Sequence, residues 1–132
     1  MNYSILLYEC DEGFKLRSDP VNGPAYAAAW PAYTKALIEA GVLVTGAGLQ
    51  VPETATTLRM RDGTRQVQDG PYADTKEQLG GFYIIDVPDL DTALDWAARA
   101  PVPQGSAIEV RPVIKMPDDH VSAQPSTAAA SA

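Results

Sequence analysis

A single cysteine, Cys10, and a single histidine, His120, occur among 132 residues. One thiol cannot close an internal disulfide, and one thiol with one imidazole falls short of a structural zinc site. Basic residues are scarce as well: Lys plus Arg number 10 against 17 Asp plus Glu, for a net charge of -7. Neutralising a phosphate backbone needs the opposite balance, so nucleic acid is not an expected partner. No apolar run approaches the ~20 residues that span a bilayer, and the opening segment MNYSILLYECDEGF has no basic stretch ahead of its short apolar one. These absences lead to the expectation of one soluble, cytoplasmic domain without membrane association, stabilised by packing or by association.

What is present is a readable order of elements. Residues 2–9 (NYSILLYE) read as a strand, and the charged, glycine-containing stretch that follows reads as a loop. From Tyr26 to Ala40 the large apolar residues Tyr26, Trp30, Tyr33 and Leu37 recur at helical spacing, with Gly41 at the expected C-terminal cap. Pro31 within that span means either that the regular helix begins near Trp30 or that it is kinked there. Residues 42–49 and 55–61 read as strands, the second with Thr56, Leu58 and Met60 on one face and Thr57, Arg59 and Arg61 on the other. Asp62-Gly63 predicts a two-residue hairpin turn that sets Leu58 opposite Val67 and Arg59 opposite Gln66.

Residues 79–87 (LGGFYIIDV) are apolar on both parities, so both faces of that strand should be covered. Asp89 to Ala100 has Leu90, Ala93, Leu94 and Ala97 on one helical face, an acidic first turn and Pro101 as a stop. Residues 106–114 read as a last strand, and Pro112 suits an edge or a bulge better than a central position. The domain is thus bounded at 1–115, and residues 116–132, small and polar, read as a disordered tail. The order predicts an α+β fold, a ferredoxin-like split βαβ protomer with an antiparallel sheet. Two helices cover one face of such a sheet, and a second copy is the simplest cover for the other, giving a homodimer with sheets face to face.

The most distinctive segment is residues 69–81, DGPYADTKEQLGG. Asp69-Gly70-Pro71 is a turn by its chemistry, and the pairs Asp74/Glu77 and Thr75/Gln78 have the spacing of a capping box, which predicts a short helical turn. Gly80-Gly81 at the start of a strand predicts a bulge or a close backbone approach.

This segment, with Gly41-Val42-Leu43-Val44, Gly48-Leu49, residues 55–59, the helix from Leu90 to Pro101 and Glu109-Val110-Arg111-Pro112, resembles the YCII-related proteins. The resemblance is to the subgroup named for a DGPF motif, which here reads Asp69-Gly70-Pro71-Tyr72, and it runs from about Met1 to Val113. It implies a dimeric α+β barrel of ferredoxin-like protomers in the bacterial cytoplasm. Some family members accompany or are fused to sigma factors, some relatives act on lactones in chloroaromatic breakdown, and most of the subgroup has no established activity. The YCII branch is thought to use a His and an Asp in a cleft. Here Trp30 and Ala100 stand at those positions, so that acid/base pair is absent.

Acid, base and hydroxyl groups gathered by a short loop can orient a small polar ligand, which makes Asp69 and Asp74 the candidate catalytic groups. Trp30, Arg59, Tyr72, Lys76, Glu77 and Tyr83 are the candidate ligand-binding residues. The plain alternative is a capped turn with solvated charges, and core packing for Trp30 and Tyr83. Arg59 and Arg61 with Arg111 would suit an anion, whereas an exposed basic hairpin face is the ordinary reading. Carboxylates around Cys10 disfavour a thiolate nucleophile, the Asp-rich start of the last helix is normal dipole chemistry, and the Gly fragments complete no nucleotide loop. No cofactor and no metal are expected. Three functions remain in view: a homodimeric small-molecule binder with a cleft beside the 69–81 loop, a cofactor-free enzyme such as a lactone isomerase or dehalogenase, and a protein-facing accessory of a sigma factor.

Overall fold

Strand β1 (Asn2–Glu9) alternates strictly, with Tyr3, Ile5, Leu7 and Glu9 buried and the residues between them half-buried. A computed structural model describes residues 1–115; the tail 116–132, with His120, lies outside the described residues. After β1 come helices α1 (Asp11–Leu16) and α2 (Gly23–Glu39), strand β2 (Leu43–Gly48), strands β3 (Thr56–Arg61), β4 (Thr64–Asp69) and β5 (Gln78–Asp86), helix α3 (Leu90–Ala98) and strand β6 (Ala107–Pro112). A four-stranded sheet has the order β2-β5-β1-β6 with every pair antiparallel, while β3 and β4 form a separate two-stranded ribbon. Without the ribbon and α1, this is the βαββαβ arrangement of a ferredoxin-like α+β fold.

Helices α2 and α3 cover the sheet face that carries Tyr3, Ile5, Leu7, Tyr83 and Ile85, contributing Tyr33 and Leu37 from α2 and Ala93 and Ala97 from α3. The alanines let α3 lie close to the strands. Asp89 caps α3 by accepting the Thr92 N–H at 2.8 Å. At the end of α2 the Gly41 N–H donates to the Ile38 carbonyl and the Val42 N–H to the Leu37 carbonyl, the Schellman pattern, with Gly41 at φ 74°. The Asp62-Gly63 turn has positive φ at both residues, 51° and 76°, and pairs Leu58 with Val67 and Arg59 with Gln66 as expected. Strand β6 is an edge strand with Pro112 at its last position, and β5 is central.

Three expectations are corrected. The stretch after β1 is not a loop throughout: Asp11–Leu16 is helical, with Phe14 buried and an Asp11–Lys15 ion pair at 2.9 Å. Helix α2 starts at Gly23, with Pro24 in its first turn, and runs through Pro31, so the regular helix does not begin near Trp30. Residues 71–77 form no helical turn; the Thr75 hydroxyl instead donates to the Glu77 carbonyl at 2.6 Å, consuming locally the group that would have capped.

Candidate functional site

Helix α2 presents two faces to the protein. Tyr33 and Leu37 enter the core, while Tyr26, Trp30, Thr34 and Ile38, four residues apart, line a cavity of about 590 Å³. The sheet supplies the facing wall through Gly46 and Ala47 of β2, Gly80 and Tyr83 of β5, and Leu7 and Glu9 of β1. That volume lies within the roughly 300–1,000 Å³ of small-molecule sites.

The missing side chains at Gly46 and Gly80 make the arrangement fit. A Cβ on Gly46 would stand 2.6 Å from the Tyr83 ring, and one on Gly80 would stand 1.8 Å from Glu9 Oε2. The β1–β5 register shifts beside Leu7 and Tyr8, which pair with Gly81 and Leu79 and leave Gly80 as the extra residue. The bulge and the close approach expected at Gly80-Gly81 are therefore one feature, and the group that approaches is a carboxylate.

Glu9 is the buried charged residue of this wall, 2% exposed. Arg17, at the end of α1, donates from Nη2 to Glu9 Oε2 at 2.6 Å and to the Gly80 carbonyl at 3.3 Å, and from Nη1 to the Leu49 carbonyl at 2.5 Å. Its guanidinium lies 4.9 Å from the centre of the Phe14 ring, so α1 is the element that delivers this cation. The Tyr26 hydroxyl donates to the other carboxylate oxygen. Along the same wall the Tyr83 and Thr34 hydroxyls meet at 2.6 Å, and Thr34 donates to the Trp30 carbonyl at 3.0 Å. The rings of Tyr26, Trp30, Tyr33 and Tyr83 follow one another edge to face with centroids 6.2, 6.2 and 5.4 Å apart.

Burial, then the Glu9 carboxylate, holds the Tyr26 phenol well above its usual range, outweighing the opposing influences of Trp30 and Arg17. Burial also raises Tyr33, whose hydroxyl donates to the Trp96 carbonyl at 2.7 Å, and Tyr83. These phenols stay neutral in the folded chain when unfolded tyrosines ionise near pH ~10. Above that pH the unfolded state binds fewer protons, so their contribution is complete below it and is lost as pH rises beyond it. Urea midpoints should accordingly fall above pH ~10 together with the late appearance of phenolate absorbance; a midpoint flat through that window would contradict the burial of these rings.

The residues singled out from sequence separate into groups. Trp30 and Tyr83 line the cavity. Asp69, Tyr72, Asp74 and Arg59 line a different, smaller depression of about 360 Å³ beside the ribbon, where the Arg59 guanidinium lies 5.0 Å from the centre of the exposed Tyr72 ring. Lys76 and Glu77 line neither. Gly70 ties the base of the ribbon: its N–H donates to the Ala55 carbonyl and its carbonyl accepts from the Thr57 hydroxyl, both at 2.8 Å. Arg111 pairs with Glu109 on the four-stranded sheet, while Arg59 and Arg61 lie on the separate ribbon. Cys10 lies beside the Gln104 carbonyl and Ser106 hydroxyl, and Ala100 is in the core.

Sequence reasoning passed over Glu9, Arg17, Tyr26 and Thr34. One signal for Glu9 was available: it continues the parity of Tyr3, Ile5 and Leu7, and a carboxylate on the apolar parity of a strand must find partners. Among the described residues there is no group of three or more His, Cys, Asp or Glu placed to hold a metal, and no helix long and apolar enough to cross a membrane.

An uncharacterised protein of Rhizobium meliloti (strain 1021) is 47% identical to this chain over 78 residues, covering 58% of this chain and 63% of the relative. The chain thus spans somewhat less than two thirds of that relative's length. The family model described as the YCII-related domain matches residues 1–117, which takes in every strand and helix described above. On that match the chain belongs to the YCII-related family.

Proposed function

We propose that this protein is a cytoplasmic homodimer of the DGPF subgroup that binds a small, largely apolar or aromatic metabolite in the cavity between α2 and the sheet. The observation that carries the reading is the buried Glu9 carboxylate, paired with the half-buried Arg17 and Tyr26 in the wall of an otherwise mostly apolar cavity. Burying a carboxylate with its partner is costly, and a fold that needed only packing would place an apolar side chain at Glu9. Dimerisation is supported by Leu6, Tyr8, Phe82 and Ile84, half-buried residues on the sheet face opposite α2 and α3. The Asp69-Gly70-Pro71-Tyr72 segment supports the subgroup, with its glycine anchoring the ribbon.

The cavity lies under α2 and takes in Gly80 and Gly81 at the end of the 69–81 segment, while Asp69 and Asp74 line the separate depression; a catalytic reading of this cavity would use Glu9 and Tyr26 in place of those two.

Native mass spectrometry of the full chain with a panel of small aromatic and alicyclic compounds tests both parts. The expected species is twice 14.1 kDa carrying an adduct lost on denaturation. Gly48→Phe projects a ring from a cavity-lining position whose Cβ would meet nothing within 4 Å, and it should abolish the adduct while leaving the dimer. An adduct that survives this substitution places the ligand elsewhere, and a monomer at micromolar concentration ends the dimer reading.

A further inference from the structure

The hydrogen-bond polarity of the cavity wall narrows its ligand further. A hydroxyl has one proton to give and can accept on its oxygen. Thr34 gives its proton to the Trp30 carbonyl, so in the 2.6 Å contact between Thr34 and Tyr83 the donor is Tyr83. Tyr83 and Thr34 both line the cavity, and the Tyr83 oxygen keeps a lone pair on which it can accept. Tyr26 has likewise given its proton to Glu9.

Pro31 adds a second acceptor. It has no N–H, so the Ala27 carbonyl loses the donor that the next helical turn would supply, and both residues line the cavity. The terminal nitrogens of Arg17 are engaged by Glu9 and by the Gly80 and Leu49 carbonyls, and Lys35, also a lining residue, is exposed to solvent.

We infer that the ligand is a hydroxylated ring compound, presenting an O–H donor to the Tyr83 oxygen and its apolar body to Trp30, Ile38 and Leu49. The inference rests on the cavity reading proposed above and adds to it the chemical class of the ligand. An ether or ester of the same shape would set acceptor against acceptor and leave the Tyr83 oxygen unpaired.

Calorimetric titration of the full-length protein with 2-naphthol and with its methyl ether tests this at neutral pH. The naphthol should bind about tenfold more tightly than the ether. In Thr34→Val the Tyr83 proton loses its acceptor and turns to the cavity, so the ratio should collapse towards one, with the ether gaining affinity. A change confined to packing would move both affinities together and leave the ratio standing. Pro31→Ala restores the missing N–H and should lower the ratio without lowering the melting temperature. Equal binding of the two probes to the unsubstituted protein would overturn the donor requirement and keep the cavity as a binding site. Failure of both probes to bind at millimolar concentration would overturn the cavity reading and the inference together.

Discussion

Glu9→Ala should cost about 3 kcal/mol of stability, the low end of what is lost when one member of a buried ion pair is removed. The carboxylate is 2% exposed and takes donors on both oxygens, from Arg17 and from Tyr26. Truncation leaves the guanidinium and the phenol in place without their acceptor. The Arg17 side chain is 29% exposed and keeps its carbonyl partners, so water and backbone offset part of the penalty. Glu9→Gln keeps the shape and one acceptor, so its loss should be smaller. Urea denaturation measures this as a lower midpoint with an unchanged slope. A loss below about 1 kcal/mol for Glu9→Ala would mean that the pair behaves as an exposed one.

Gly80→Ala should be comparably damaging, by about 2–3 kcal/mol, for a reason that lies in the same cluster. The backbone at Gly80 is not in the left-handed region, so alanine brings no strain of its own. Its Cβ would lie 1.8 Å from Glu9 Oε2 and 3.0 Å from the Arg17 guanidinium. A carboxylate at the end of a free side chain would swing away at little cost, but this one is held on both oxygens by Arg17 and Tyr26. Displacing it breaks the Arg17 and Tyr26 contacts together.

The two substitutions should therefore be strongly non-additive. With Glu9 already truncated the obstacle is gone, and Gly80→Ala should cost almost nothing, a coupling of about 2 kcal/mol in a double-mutant cycle. Additive losses would show that Gly80 is constrained by something other than Glu9.

Much of the fold was legible because its signals are local. The alternation of residues 2–9, the Asp62-Gly63 turn and the Gly41 cap each depend on neighbours a few residues away. Helix α1 was not legible: six residues containing Gly13 do not form a helix on propensity. Burial of Phe14 and the approach of Gly13 to Pro103, where a Cβ would meet the proline ring at 3.0 Å, hold it from outside. The opposite error arose at Asp74 and Thr75, where capping chemistry was present but a local side-chain bond to Glu77 took its place.

The candidate site divides in the same way. Trp30 and Tyr83 were identifiable as large aromatics on an apolar helix face and an apolar strand, and both line the cavity. Glu9, Arg17 and Tyr26 looked unremarkable because the meaning of each depends on the other two. Strand parity, turns, caps and the sequence of elements follow from covalent neighbours, whose conformational preferences act within a turn or a pleat. Which polar groups leave water together depends on how separate elements pack. A carboxylate at the end of β1, a guanidinium at the end of α1, a phenol on α2 and a glycine in β5 become one cluster only when the helices settle on the sheet, because desolvation makes each polar group require the others.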